Sequence, residues 1–339
     1  MCAYLSTLTA SAVQAKPGFF TVTQPDGSTI RIHKIGDEHI HFTLTDDDCI
    51  IIPNNNGDYV FACIDENQNL VPTDILASDI ENRSEAAGAV AQKISDIDLD
   101  KYAAAHLKQV SFNPGNNFNA QNSNKKASST TALPQNGVGL YSKKFKTTGK
   151  VNALIILVEY SDVSFTVDDP QTYYNNFFNA EGFNTDGNSG SVRDYFFDNS
   201  FEQFEPQFKV YGPVKLSHKR EYYGANDSDG NDKYPYLMVK EACSMLDDEI
   251  DFSQFDVDND DIIDNVYIIY AGVGEASSNV TNSIWPHQDD VRDYDIVAYY
   301  DGKQLADYGC CNEWDALDDH VDGIGTVVHE FSHVLGLPD

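Results

Sequence analysis

The residues best suited to chemistry fall in the run Val327-Val328-His329-Glu330-Phe331-Ser332-His333-Val334-Leu335-Gly336-Leu337-Pro338-Asp339. His329 and His333 are four apart, so on a helix they stand on one face and can offer imidazole nitrogens to one ion at about 2.0–2.1 Å. Glu330 stands beside them, where a carboxylate can take a proton from water activated by that ion and pass it to a leaving amine. Zinc suits this set, because it lowers the pKa of water and polarises a scissile carbonyl. Gly336 permits the helix to end in a left-handed turn and Pro338 prevents it from resuming. The chain then turns back and brings Asp339 to the zinc as a third ligand, at about 2.0–2.2 Å. A buried amphipathic helix could carry two histidines and a glutamate by chance, but that reading leaves the glycine and the trailing carboxylate unexplained.

A second candidate cation site lies in Asp256-Val257-Asp258-Asn259-Asp260-Asp261-Ile262-Ile263-Asp264. Asp256, Asp258, Asp260 and Asp264 occupy positions one, three, five and nine of a calcium loop, with the hard oxygen ligands that calcium takes. Position six is Asp261 where such loops carry glycine, and position twelve is Tyr267 in place of a bidentate glutamate, so this is not a full EF-hand. A solvated acidic turn before a strand fits the same residues. His287, after Trp285-Pro286, reads as a packed or hydrogen-bonded histidine and is assigned no role. Asp37, Glu38, His39 and His41 read as a polar turn, although they could cap the zinc of a latent precursor. Nothing local marks Cys49 or Cys63 as a thiolate latch.

The elements that must position these groups are legible in the hydrophobic pattern. Val151 to Tyr160 contains a continuous apolar run suited to a strand buried on both faces. Ser191 with Asp194 three residues later marks a helix start, with Val192, Tyr195 and Phe196 on one face. Phe208, Val210, Val214 and Leu216 share parity, as on a strand with one buried face. A helix is predicted from Tyr236 to about Leu246, with Leu237, Val239, Ala242, Met245 and Leu246 available to a core, and a strand from Val266 to Tyr270. Earlier, from Lys16 to about Val71, short strands alternate with turn signals: Phe19 to Thr23, Thr29 to Ile35, Ile40 to Leu44, and Tyr59 to Ala62 after Asn54-Asn55-Asn56-Gly57. A helical segment over Glu85 to Lys93 follows. Between Phe112 and Gly139 the composition shifts to Asn, Ser, Lys, Thr, Gly and Pro, which reads as a linker, either a place for proteolytic nicking or a mere tether.

A chain of 339 residues with a formal net charge of −32 is long enough for two units and repels phosphate backbones and anionic headgroups, so nucleic acid is not an expected partner. No stretch approaches the roughly 18 apolar residues of a membrane span. The six cysteines are too few and too irregularly placed for a disulfide scaffold and form no paired zinc signature. Met1 to Ala15 is mildly apolar and ends in Ala12-Val13-Gln14-Ala15, with small residues where a signal peptidase reads, which points to export; the segment lacks a basic leading region, as a clipped or wrongly assigned start would.

The motif HExxHxxGxxD differs from that of most metzincins only in carrying Asp as third ligand. With HEFSHVLGLPD, the segments Ser191-Val192-Arg193-Asp194-Tyr195-Phe196-Phe197, Asp256 to Tyr270 and Ser283-Ile284-Trp285-Pro286-His287 make the sequence resemble the immune inhibitor A-like family of secreted bacterial metallopeptidases. The resemblance covers about Val151 to Asp339. It implies that His329, His333 and Asp339 bind zinc and that Glu330 is the general base, and the beginning of the chain resembles the leader and pro-region of such precursors. Family members continue past the Asp into a Met-containing turn, so the catalytic domain is expected to be truncated here.

The fold class expected is α+β, with a small β-rich N-terminal pro-domain followed by an incomplete metzincin-like zinc peptidase domain. The boundaries expected are a signal peptide over 1–15, the pro-region over 16–111, a linker over 112–139 and the catalytic domain over 140–339. The function expected is that of a secreted zinc endopeptidase made as a zymogen and acting on protein or peptide substrates. A truncated, inert binding protein or fragment that keeps the zinc motif is the alternative. Substrate preference and oligomeric state are not written in these residues.

Overall fold

A computed structural model of the chain describes residues 15, 17–37, 40–54, 56–66, 68–94, 97–106, 145–227, 230–278 and 280–337. Glu38 and His39, the 112–139 linker, Pro338, Asp339 and all of the leader except Ala15 lie outside these residues. The chain divides into two compact units, one within Gln14–Phe112 and one within Asn113–Glu275 and Val280–Asp339.

The first unit is an antiparallel meander in which each strand pairs with the next: β1 (Phe20–Thr23), β2 (Thr29–Gly36), β3 (His41–Thr45), β4 (Ile50–Pro53), β5 (Tyr59–Ile64) and β6 (Leu70–Leu76). The alternation in β2 puts Ile30 and Ile32 inside while Thr29 and Arg31 face out. Helix α1 (Glu85–Ile94) presents Ala87, Ala91 and Ile94 to the same core, and α2 (Leu99–His106) follows. Strands β4 and β6 and helix α2 were not foreseen, because their short apolar stretches carry too few periods to separate strand from loop.

The second unit runs β7 (Gly149–Glu159), α3 (Pro170–Asn179), α4 (Val192–Asn199), β8 (Phe204–Lys215), α5 (Arg220–Gly224), α6 (Pro235–Met245), β9 (Val266–Val273), β10 (His287–Asp290), β11 (Tyr299–Tyr300), β12 (Lys303–Gln304), β13 (Asp307–Asp315), β14 (His320–Val321) and α7 (Ile324–Val334). Its main sheet has the order β10-β13-β9-β7-β8, with β14 beside β13. Strands β13, β9, β7 and β8 are mutually parallel and β10 is antiparallel at the edge. As its unbroken apolar run requires, β7 is buried on both faces: Leu154, Ile156 and Val158 enter one core, and Ala153, Ile155 and Leu157 the other. Adjacent Cys310 and Cys311 on β13 likewise point to opposite cores, and no disulfide forms among the described residues.

Three expectations need correction. Phe208 and Val210 pack in one core, whereas Val214 and Leu216 pack in the other. Between the pairs Ile156↔Tyr211 and Val158↔Val214, β8 advances three residues while β7 advances two; the extra residue reverses which side chains face which layer. On α4, Val192 and Phe196 are buried but Tyr195 is exposed. On α6 the inward face is Met238, Val239, Ala242 and Cys243, and Met245 is exposed. The helix start at Ser191 stands as read: its hydroxyl accepts from Asp194 N–H, and the Asp194 carboxylate accepts from Ser191 N–H.

Phe331 of α7 is the hub of the second core. It is fully buried, with the rings of Phe208, Phe145, Phe196 and Tyr267 at centroid distances of 5.3, 5.4, 5.5 and 6.2 Å. Replacing it with Ala is expected to cost about 3–5 kcal/mol of unfolding free energy, measured by denaturant titration. A cost below about 1 kcal/mol would mean that α7 is not anchored through this ring.

Candidate metal centre

Helix α7 is rich in β-branched residues, which favour strands, so burial and not intrinsic propensity makes it a helix. Val327, Val328, Glu330, Phe331 and Val334 form its inward side. Its first turn is held by neighbours: the Asn188 amide oxygen accepts from Ile324 N–H at 2.9 Å, and Thr326 donates its hydroxyl to Asp322 at 3.1 Å. At the other end Gly336 takes a φ of 88°, its N–H donates to His333 O at 2.8 Å, and Leu337 N–H donates to Ser332 O at 3.0 Å. These two bonds with a left-handed glycine form a Schellman termination, so the chain leaves the helix axis where the sequence predicts.

His329 and His333 converge, with their Nε2 atoms 3.1 Å apart and their rings at 82°. A carbonyl oxygen can only accept, so the 2.8 Å contact of His333 Nδ1 with Leu337 O puts the proton on Nδ1 and leaves the Nε2 lone pair directed toward His329. A separation of 3.1 Å is one that a single ion bonded to both nitrogens at about 2.0–2.1 Å can span, and the bond from Nδ1 is the kind that orients a metal-binding imidazole. The donor set thus fits zinc. Asp339 lies outside the described residues.

Glu330 is fully buried, one position round the helix from His329. Burial first, and after it the fields of Cys311 and Glu330, push the Tyr267 phenol well above its ordinary value. Burial first, and the charge of Glu330 among the later causes, also raise the Cys310 and Cys311 thiols on β13.

The acidic loop is equally specific in shape. Asp256 is 5% exposed and its two carboxylate oxygens accept from Asp260 N–H at 3.0 Å and Asp261 N–H at 3.1 Å. One carboxylate oxygen from each of Asp256, Asp258 and Asp260 lies within 4.8 Å of the others. Asp261, which the sequence places where glycine is expected, takes a φ of 67° and so supplies the glycine-like turn itself. Asp264 is 6% exposed; its Oδ2 accepts from Val257 N–H at 2.6 Å and its Oδ1 has no hydrogen-bond partner. Burial first, and then the charges of Asp258, Asp256 and Asp260 against the opposing Val257 N–H, push its carboxyl up to about 7. The sequence reading missed Lys303, whose ammonium lies 2.8 Å from both Asp256 and Asp261. A lone basic residue in the Asp301-Gly302-Lys303 turn is the only signal that could have found it.

The other residues singled out have structural partners. His287, on β10, contacts Trp285 O through Nδ1 at 2.6 Å and the Tyr308 hydroxyl through Nε2 at 2.8 Å. Asp37 accepts from Ile40 N–H at 3.0 Å, and His41 contacts Asp37 O at 3.3 Å, as in a polar turn. Cys49 is buried, which raises its thiol and removes it as a thiolate latch. Glu313, unremarked in the sequence, is fully buried and accepts from Thr166 N–H, the Thr166 hydroxyl and Gly272 N–H, at 2.5, 2.7 and 2.9 Å, fixing the loop after β7 to the end of β9.

Residues 140–339 match the family described as immune inhibitor A peptidase M6, catalytic domain. Immune inhibitor A of Bacillus thuringiensis subsp. alesti is 28% identical over 234 residues, covering 56% of this chain and 33% of that protein. The pre-pro-metalloprotease PrtV of Vibrio cholerae serotype O1 (strain M66-2) is 25% identical over 232 residues, covering 57% of this chain and 25% of that protein. The matched stretch is therefore a third or less of each relative.

Proposed function

The chain belongs to the immune inhibitor A peptidase M6 family, and from that premise we propose that it acts as a secreted zinc-dependent endopeptidase, with His329, His333 and Asp339 as the metal ligands and Glu330 as the general base. Membership makes it a metallopeptidase domain, and no helix among the described residues is long and apolar enough to cross a membrane. The observation that carries the finer reading is the 3.1 Å approach of the two imidazole Nε2 atoms beside a buried glutamate. Zinc, when bound, supplies the Lewis acidity that lowers the pKa of water and polarises a peptide carbonyl.

The protein's own part follows from its donors. His333 keeps its Nε2 lone pair available because Leu337 O holds the proton on Nδ1. Glu330 receives the proton of the attacking water and returns it to the departing amine, with burial strengthening its interaction with charge in the site. The Schellman turn at Gly336 brings the Leu337 carbonyl onto His333 Nδ1. The leader over 1–15 and the pro-region over 16–111 belong to the same reading, since the Vibrio relative is named a pre-pro-metalloprotease.

The test is metal content with activity. One zinc per chain is expected, together with hydrolysis of a denatured protein substrate that stops on chelation and returns with added zinc. Hydrolysis at an unchanged rate after complete metal removal would end the proposal.

The loop bearing Asp256, Asp258, Asp260 and Asp264 is read as a calcium site, on the strength of its converging carboxylates and the buried Asp264 oxygen. A ligand that binds only the folded state stabilises it by about 2.7 kcal/mol at a hundred times its Kd, so calcium is expected to raise Tm by several degrees. An unchanged Tm in millimolar calcium would return the loop to a solvated turn.

A further inference from the structure

The acidic loop already holds a cation of its own. The Lys303 side chain is only 19% exposed, and its ammonium stands 2.8 Å from Asp256 Oδ2 and 2.8 Å from Asp261 Oδ1. Its position is imposed by the main chain. Gln304 N–H donates to Asp261 O at 2.8 Å, and Ile263 N–H donates to Gln304 O at 2.9 Å, so β12 is registered directly against the loop. The tight turn of Asp301 and Gly302, with φ of 49° and 79°, delivers Lys303 to that register.

We propose that Lys303 is the resident cation of this loop, holding it in its ion-ready shape and competing with a divalent ion for Asp256. This rests on the calcium reading of the same loop. Asp256 is the shared group: it closes the loop on Asp260 N–H and Asp261 N–H, belongs to the converging carboxylates and carries the Lys303 ion pair. A cation requirement is independently marked by Asp264, which is more than nine-tenths buried beside these carboxylates with Oδ1 unpartnered. One ammonium is too little charge for a set of four carboxylates. A divalent ion that takes an Asp256 oxygen must displace the ammonium or bear its repulsion, and the low exposure of Lys303 leaves that repulsion little screened. Asp261, with a carboxylate 82% exposed, is where the displaced ammonium stays tethered.

The experiment is calorimetric titration of calcium chloride into the whole chain and into its Lys303→Met, Lys303→Gln and Lys303→Arg variants, with Tm recorded with and without calcium. Removing the charge is expected to tighten calcium binding by roughly tenfold or more, while Lys303→Arg stays within about threefold of the parent. The two neutral variants are also expected to melt lower than the parent without calcium and to recover with it. Should one neutral variant fail to fold, the other carries the comparison. Calcium bound with equal or weaker affinity by the neutral variants overturns the role of Lys303 and leaves the calcium site standing. Calcium bound by none of the four proteins overturns the calcium reading itself, and this proposal with it.

Discussion

Replacing Glu330 with Gln is expected to lower peptide hydrolysis by about 10²–10⁴-fold, the span a general base contributes, while zinc content stays at that of the parent. Gln has nearly the same volume as Glu, so the fully buried site beneath α7 is not emptied. A neutral amide is also less costly to bury than a carboxylate, so Tm should not fall appreciably. What disappears is the ability to accept a proton. The loss should appear in kcat with KM nearly unchanged, the pattern of an interaction made in the transition state and absent from the ground state. Steady-state rates on a peptide substrate, with zinc measured on the same sample, decide the matter. A variant that hydrolyses at the parental rate removes Glu330 from the chemistry.

Replacing His333 with Ala is expected to remove both the metal and the activity. Structural zinc sites are worth about 10–16 kcal/mol in all, so a single ligand's share is roughly 3 kcal/mol or more, at least a hundredfold in affinity. His333 carries a second duty that deepens the loss: its contact with Leu337 O ties the helix end to the turn after Gly336. His320 on β14 supplies the control, because its imidazole meets Val321 O and Asp318 outside the histidine pair, and His320→Ala should leave zinc untouched. Zinc counted after exhaustive dialysis gives the answer. A His333→Ala protein that still holds one zinc per chain would show that the pair on α7 is not the metal site.

The residues themselves determined the local facts. An i, i+4 histidine pair on a helix must share a face, a glycine can take the φ of 88° that ends α7, and an apolar run as long as that of β7 can only sit where both faces are covered. Reciprocal capping at Ser191 and Asp194 was legible for the same reason, since its partners are three residues apart. Each of these depends on atoms only a few residues apart in the chain.

What the tertiary structure decided depends on partners distant in sequence. The extra residue in β8 that sends Phe208 and Val214 to opposite cores exists only relative to the register of β7. Asn188, more than a hundred residues earlier, holds the first turn of α7, and Phe331 gains its weight from rings contributed by four other segments. In the acidic loop the spacing of the aspartates was plain, but Lys303 reaches Asp256 because main-chain bonds between β12 and the loop bring it there. Spacing fixes which groups can share a face or a turn; only the register of the sheet and the packing of its two layers fix which distant charge, ring or amide meets them.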